Sequence, residues 1–139
     1  MPTPSVTRTV AGFADWDLPT AAHRIEQGLA STTLDGIKET LGLSSQELAD
    51  ALLLSPRTIS RRRTAGERLT PAESERAYRL GRLAALAVGT LGGVEHARAW
   101  MREENFALGD VRPLDLARTE PGARLVERLL RQIPHGIPV

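Results

Sequence analysis

Apolar residues recur along most of the chain at intervals of three and four positions, which places them on one face of an α-helix. Turn and capping residues interrupt this pattern at regular points. The pattern predicts two short helices within residues 43–63, a short helix opening at Pro113, and longer helices at approximately 19–29, 33–41, 71–90, 94–102 and 120–133. Aromatic residues make up only 4% of the chain, so Leu, Ala, Val and Ile must fill the core. The sequence therefore predicts an all-α protein rather than a β-sandwich.

Residues 43–63 carry two helix start signals a short distance apart. Ser44 followed three positions later by Glu47 forms a capping box, in which each side chain satisfies a backbone N–H of the other residue. Ser55 is a good N-cap, and Pro56 follows at the first helical position, where a missing N–H costs nothing. Two short helices joined by a tight turn are predicted here.

This stretch resembles a helix-turn-helix of the Xre or phage-repressor type. The small residue Ala49 allows the second helix to cross the first closely, and Ile59 closes the small core between them. Many such motifs have Gly where this chain has Leu53. A left-handed backbone costs Leu about 1 kcal/mol more than Gly, which predicts either a turn of different shape or a first helix one residue longer. A second departure is Arg62, where an apolar residue often closes the motif.

Positive charge is concentrated on the second of these helices and just after it. Residues 56–82 contain eight arginines and three glutamates, whereas acidic residues outnumber basic ones in residues 1–55 and the two balance in residues 83–139. Such a cluster is typical of a phosphate-binding surface, and Arg suits bidentate contacts to phosphate or guanine. The alternative is a solvated helix face with internal ion pairs. The candidate DNA-contacting residues are Ser55, Arg57, Thr58, Ser60, Arg61, Arg62 and Arg63.

Breaks in the hydrophobic pattern divide the chain into three predicted segments. Residues 1–18 are interpreted as a flexible or loosely docked N-terminal arm, in which Phe13 and Trp16 are expected to pack against the core. Residues 19–91 form the helix-turn-helix domain with a long linking helix. Residues 92–139 form a C-terminal domain with an extended tail.

The 139-residue chain also excludes several classes of protein. It has no cysteine, which rules out disulfides and cysteine-bound zinc and suits a reducing cytoplasm. No apolar run reaches the roughly 20 residues of a membrane span. The three histidines show no metal-ligand spacing, and there is no Gly-rich phosphate loop, nucleophile elbow or HExxH motif. We expect no enzyme activity, no cofactor, no metal and no membrane association.

The signals of the C-terminal half occur in a characteristic order. They are Ala97-x-x-Trp100, Leu108-Gly109, Pro113-Leu114, Thr119-Glu120-x-Gly122, Val126-x-x-Leu129-Leu130 and Ile133-x-x-Gly136. This order and spacing resemble the C-terminal toxin-binding domain of the MbcA/ParS/Xre antitoxin family. The helix-turn-helix is similar to the Xre domain that precedes it in that family. The resemblance covers roughly residues 20–139.

The resemblance implies a type II antitoxin with no catalytic role. Its partner would be a RES-domain toxin, an enzyme related in fold to ADP-ribosyltransferases that consumes NAD or modifies a target with it. The antitoxin would form a homodimer, cover the toxin's active-site cleft with its C-terminal region, and bind operator DNA to repress its own promoter. By position, the toxin contacts would be Arg124, Arg128, Arg131, His135, Gly136, Ile137, Pro138 and Val139.

Two other functions stay open on the residues alone. The chain could be a stand-alone helix-turn-helix repressor, with residues 92–139 only mediating dimerisation or sensing a ligand. Alternatively, the altered turn could have lost operator binding, which would leave only the inhibitor function. Residues 83–88 are apolar on every side, which predicts burial either between two cores or in a dimer.

Overall fold

A computed structural model of the protein describes Val10 and residues 12–134. The described part of the chain contains no β-sheet, and none of its helices is long and apolar enough to cross a membrane. A 3-10 turn lies at Phe106–Leu108. The α-helices are α1 (Leu18–Gln27), α2 (Thr33–Leu41), α3 (Ser45–Leu52), α4 (Pro56–Ala65), α5 (Pro71–Leu91), α6 (Val94–Arg102), α7 (Pro113–Leu116) and α8 (Glu120–Gln132). The all-α prediction is confirmed.

Capping residues fix where the helices begin. The Ser44 hydroxyl accepts a hydrogen bond of 3.1 Å from the Glu47 N–H, and the Glu47 carboxylate accepts one of 2.9 Å from the Ser44 N–H. Thr70 and Glu73 form the same reciprocal pair at the start of α5, at 3.1 and 2.8 Å. Each box satisfies two backbone donors that a helix leaves free at its first turn.

The structure differs from the sequence prediction by more than one residue at the first helix and between α6 and α7, while the other longer helices agree with it within one residue at each end. The first helix was predicted at 19–29, but Asp17 accepts a hydrogen bond of 2.8 Å from the Thr20 N–H and caps the helix earlier. Gly28 then ends the helix with a φ of 89°. The predicted loop at 103–112 contains the 3-10 turn, which local hydrogen bonds close.

Helix α5 is the centre of the fold. It packs against α1, α2 and α3 and also against α6 and α8. Leu83, Ala84 and Ala87 are completely buried, and Leu86 and Val88 are half-buried. The apolar segment at 83–88 is therefore buried within this one chain, between two sets of helices.

The N-terminal segment packs against α5. Val10 and Phe13 are buried in the core. A Cβ on Gly81 would lie 2.4 Å from the Phe13 ring, so only glycine leaves room for this contact. Trp16 stacks on Tyr78, with ring centroids 5.8 Å apart and planes within 6°. The expected packing of Phe13 and Trp16 against the core is confirmed, and the assignment of residues 1–18 as a separate arm stays a prediction.

Helix α6 ties the C-terminal helices to α2 and α3. Arg98 donates a hydrogen bond of 3.1 Å to the Thr40 carbonyl, at the end of α2. Arg102 donates to the Gly42 carbonyl and pairs with Glu47 at 2.9 Å. A cation is favourable at the carboxyl end of a helix, because the last carbonyls carry partial negative charge.

One glutamate joins α4 to α5. Arg62 binds both carboxylate oxygens of Glu73, at 2.9 and 3.0 Å, and reaches Glu67 at 2.9 Å. The Arg62 and Glu73 side chains are only 15% and 9% exposed. Burial alone would raise the pKa of Glu73, but the hydrogen bonds from Arg62 and Thr70 outweigh it and lower this pKa.

The turn between α3 and α4 keeps the left-handed geometry despite its leucine. Leu53 has φ 56° and ψ 38°, and its N–H donates to the Asp50 carbonyl. Helix α3 ends at Leu52, so neither a different turn shape nor a longer helix occurs. The chain tolerates the strain because α3 and α4 are fixed by their own caps.

Replacing Leu53 with Gly is expected to stabilise the protein by up to about 1 kcal/mol, because Gly adopts a left-handed backbone without strain. Urea denaturation at neutral pH would measure the change. Gly66 is a suitable control, since it ends α4 with φ 66° and has no neighbour within 4 Å of an added Cβ. Gly66→Ala should therefore be destabilising. A loss of stability in Leu53→Gly would contradict the strain argument.

Arg62→Met is expected to lower the melting temperature at pH 7 by roughly 5 °C or more, because Glu73 would stay buried without its partner. The folded-state pKa of Glu73 is lowered, so its stabilising effect is present above the ordinary glutamate pKa and is lost as the pH falls through the folded value. The gap between wild type and variant should shrink as the pH is lowered toward 3. Adding Glu73→Gln, which can still cap α5, should restore part of the stability.

Candidate nucleic-acid and partner interfaces

Helix α4 is positioned by its cap and by one half-buried side chain. The Ser55 hydroxyl accepts a hydrogen bond of 3.0 Å from the Thr58 N–H and lies 2.9 Å from the Thr58 hydroxyl. Ile59 packs against the core and fixes the rotation of the helix. The opposite face is open to solvent. It is lined by Arg57, Ser60, Arg61, Thr64 and Ala65.

Two arginines on this face are free to bind a ligand. Arg57 and Arg61 are one helical turn apart, so their side chains leave the same side of α4. Both are exposed, and neither forms an ion pair with any residue that the structure describes. Exposed guanidinium groups in this arrangement can reach phosphate oxygens or the edge of a guanine.

The next two arginines, Arg62 and Arg63, are bound by carboxylates of the chain itself. Arg62 is bound by Glu73 and Glu67, as described above, and Arg63 binds the two carboxylate oxygens of Asp35 at 2.9 and 2.5 Å. Both arginines are thus engaged by carboxylates of the chain itself, and their assignment as DNA-contacting residues stays a prediction. Successive helical residues point about 100° apart, and this rotation turns both side chains toward α5 and α2.

A second candidate interface lies between α5 and α8. A groove of about 880 Å³ runs along these helices and continues over the N-terminal segment at Trp16 and Leu18. Charged side chains form most of its length. They are Arg79, Arg82, Arg124, Arg128 and Arg131, with Glu75, Glu120 and Glu127 between them.

Two of the three glutamates, Glu120 and Glu127, join α8 to α5. On α5, Arg79 binds both oxygens of Glu75, at 2.8 and 2.6 Å, and lies 3.4 Å from Glu120 on α8. Arg82 pairs with Glu127 in the same way across the two helices. These pairs clamp α8 against α5 and set the width of the groove.

The outer arginines of α8, which are Arg124, Arg128 and Arg131, form only longer ion pairs or none among the described residues. Arg124 and Arg131 are 73% and 64% exposed, with longer ion pairs of 3.3 and 3.6 Å to the glutamates of the same helix. Arg128 is exposed and forms no ion pair among the described residues. The structure thus brings together the three arginines expected to contact a toxin. The other predicted contacts, His135, Gly136, Ile137, Pro138 and Val139, lie outside the described residues.

Sequence reasoning missed the contribution of α5 to this groove. Arg79 and Arg82 are three positions apart and therefore share one face of the predicted helix at 71–90. That spacing was visible, but only the packing of α8 against α5 places them beside Arg128. In the described ranges no three His, Cys, Asp or Glu side chains come close enough to hold a metal ion.

Family comparisons match both halves of the chain. The model of the antitoxin Xre-like helix-turn-helix domain matches residues 20–82. The model of the antitoxin Xre/MbcA/ParS C-terminal toxin-binding domain matches residues 83–136.

Individual relatives agree with these matches. An antitoxin Xre of Yersinia enterocolitica is 33% identical over 98% of this chain and 95% of its own length. A protein of Sphingobium sp., described as a Prs ADP-ribosylating antitoxin, is 30% identical over 81% of this chain and 76% of its own length. The crystal structure of the M. tuberculosis MbcT–MbcA toxin–antitoxin complex contains a chain that aligns with a TM-score of 0.59 and 30% identity, over 78% of this chain and 96% of that chain. The protein therefore belongs to the Xre/MbcA/ParS family of antitoxins, with a helix-turn-helix domain followed by a toxin-binding domain.

Proposed function

We propose that this antitoxin neutralises a RES-domain toxin by covering its active-site cleft with the C-terminal region. The main support is the exposed arginine face of α8, a helix that ends at Gln132, shortly before the tail residues 135–139. Arg124, Arg128 and Arg131 would contact the toxin surface, and the tail, from His135 to Val139, would enter the cleft. The toxin would consume NAD or attach ADP-ribose to a target.

We also infer that the protein binds operator DNA and represses its own promoter. Arg57, Thr58, Ser60 and Arg61 would enter the major groove, with Ser55 holding the start of the helix. The free guanidinium groups of Arg57 and Arg61 support this assignment. One recognition helix reads one half-site, so the operator-binding form would be a homodimer. The expected location is the cytoplasm.

Co-expression with the product of the adjacent reading frame tests the antitoxin function. Growth arrest and a fall in cellular NAD, both relieved by this chain, are expected. An ADP-ribosylated target protein would indicate group transfer, whereas NAD loss without one would indicate hydrolysis or phosphorolysis. A harmless neighbour, or toxicity that this chain does not relieve, would favour the stand-alone repressor.

Deleting Pro134–Val139 is expected to abolish neutralisation in the same assay. Pro134 is exposed and the deletion leaves α8 complete, so the melting temperature and DNA binding should stay close to those of the full chain. Full protection by the truncated chain would disprove the insertion of the tail into the cleft.

Arg61→Ala is expected to weaken operator binding by about 1–3 kcal/mol if the side chain reads a guanine, with a loss of discrimination at one base pair. A uniform loss across DNA sequences, with a shallower salt dependence, would instead identify a phosphate contact. Fluorescence anisotropy with the promoter fragment measures both. Arg124→Ala, another exposed arginine in the other domain, should leave DNA binding unchanged. An Arg61→Ala variant with wild-type affinity would exclude Arg61 from the interface.

A further inference from the structure

We propose that the toxin-binding surface extends beyond the C-terminal domain into the groove between α5 and α8, and that this groove receives an acidic segment of the toxin. The inference rests on the proposed function and adds to it the chemistry of the contact. It also assigns part of the toxin interface to α1 and α5, which lie within or before the helix-turn-helix domain.

Three separate parts of the chain build the groove. Arg79 and Arg82 come from α5, and the outer arginines come from α8. Trp16, stacked on Tyr78, and Leu18 form an apolar wall at the N-terminal side. Leu18 is 81% exposed at the first position of α1, where the fold itself does not require an apolar residue. An exposed leucine beside a stacked aromatic pair is a suitable contact for an apolar side chain of a partner.

The groove carries an excess of positive charge. Its lining contains five arginines and three glutamates, and each glutamate is already paired with an arginine of the groove. The Nε of Arg79 is buried and makes no hydrogen bond within the described residues. Arg128 forms no ion pair among the described residues, and Arg124 and Arg131 form only the longer pairs given above. Carboxylates of a partner would bind these three guanidinium groups in the bidentate geometry that Arg favours.

The lining favours carboxylates of a protein over the phosphates of a nucleotide. Phosphate sites in proteins usually offer backbone N–H groups, often at the start of a helix. Here none of the arginines lies in the first turn of α5 or α8, and Glu120 occupies the first position of α8 with its negative charge. An elongated groove with charged side chains along one wall and apolar ones along the other matches an acidic segment that carries an occasional apolar residue.

The test is binding of the purified product of the adjacent reading frame, measured by calorimetry at several salt concentrations. Arg128→Glu is expected to raise the dissociation constant at least tenfold and to make the salt dependence shallower. Its control is Arg57→Glu, the same charge change on α4, which should stay within twofold of the wild type. Both positions are exposed, so the melting temperature should change little.

Leu18→Glu is the variant that tests the extension onto α1. It is expected to weaken toxin binding several-fold, whereas Leu53→Glu, a second exposed leucine outside the groove, should have no effect. An acidic residue is favourable in the first turn of a helix, so Leu18→Glu should fold normally.

The outcomes separate this proposal from the proposed function. If the wild-type chain binds and neutralises the toxin but Arg128→Glu and Leu18→Glu bind like wild type, the groove proposal is wrong and the antitoxin function stands. If only Arg128→Glu weakens binding, the contact ends at α8 and the extension onto α1 is wrong. If the wild-type chain does not bind the toxin, both proposals fail.

Discussion

The burial of α5 among helices of both halves of the chain holds this protein together. Helices α1 to α3 and helices α6 and α8 all pack against it, and its residues Leu83, Ala84 and Ala87 are completely buried. Burying a leucine side chain contributes about 2 kcal/mol, and neither half could bury this helix alone. A chain of this size therefore places a helix-turn-helix domain and a toxin-binding domain on one shared helix instead of joining two independent cores by a linker.

Arginine serves two purposes in this protein, and its position around each helix decides which one. Arg62, Arg63, Arg98 and Arg102 point toward neighbouring helices, where they bind carboxylates or helix-end carbonyls. Arg61, which directly precedes Arg62 in sequence, is exposed and has no such partner among the described residues. The guanidinium group suits both tasks, because its planar set of donors binds a carboxylate of the same chain as readily as a phosphate or a carboxylate of a partner.

Hydrogen bonds and ion pairs join the helices that carry the two proposed interfaces. Helix α6 binds the end of α2 and the capping box of α3 through Arg98 and Arg102, and the Arg62–Glu73 pair fixes α4 to the start of α5. The groove lies farther along α5, where Arg79 and Arg82 hold α8. Helix α4 and the groove therefore lie in different parts of one packed set of helices. A charge can thus be changed in one proposed interface without disturbing the other.

The sequence by itself determined the helices, because their signals are local. Helix starts are marked by the capping pairs Ser44–Glu47 and Thr70–Glu73. A buried helix is indicated by the apolar residues at 83–88. The order of signals in the C-terminal half was enough to identify the antitoxin family. Only the tertiary structure decided which arginines are free. Arg61 and Arg62 are neighbours in sequence, yet a rotation of about 100° leaves the first in solvent and turns the second onto a buried glutamate eleven positions away. The groove could not be predicted from the sequence either, because its walls come from segments that meet only when α8 packs on α5.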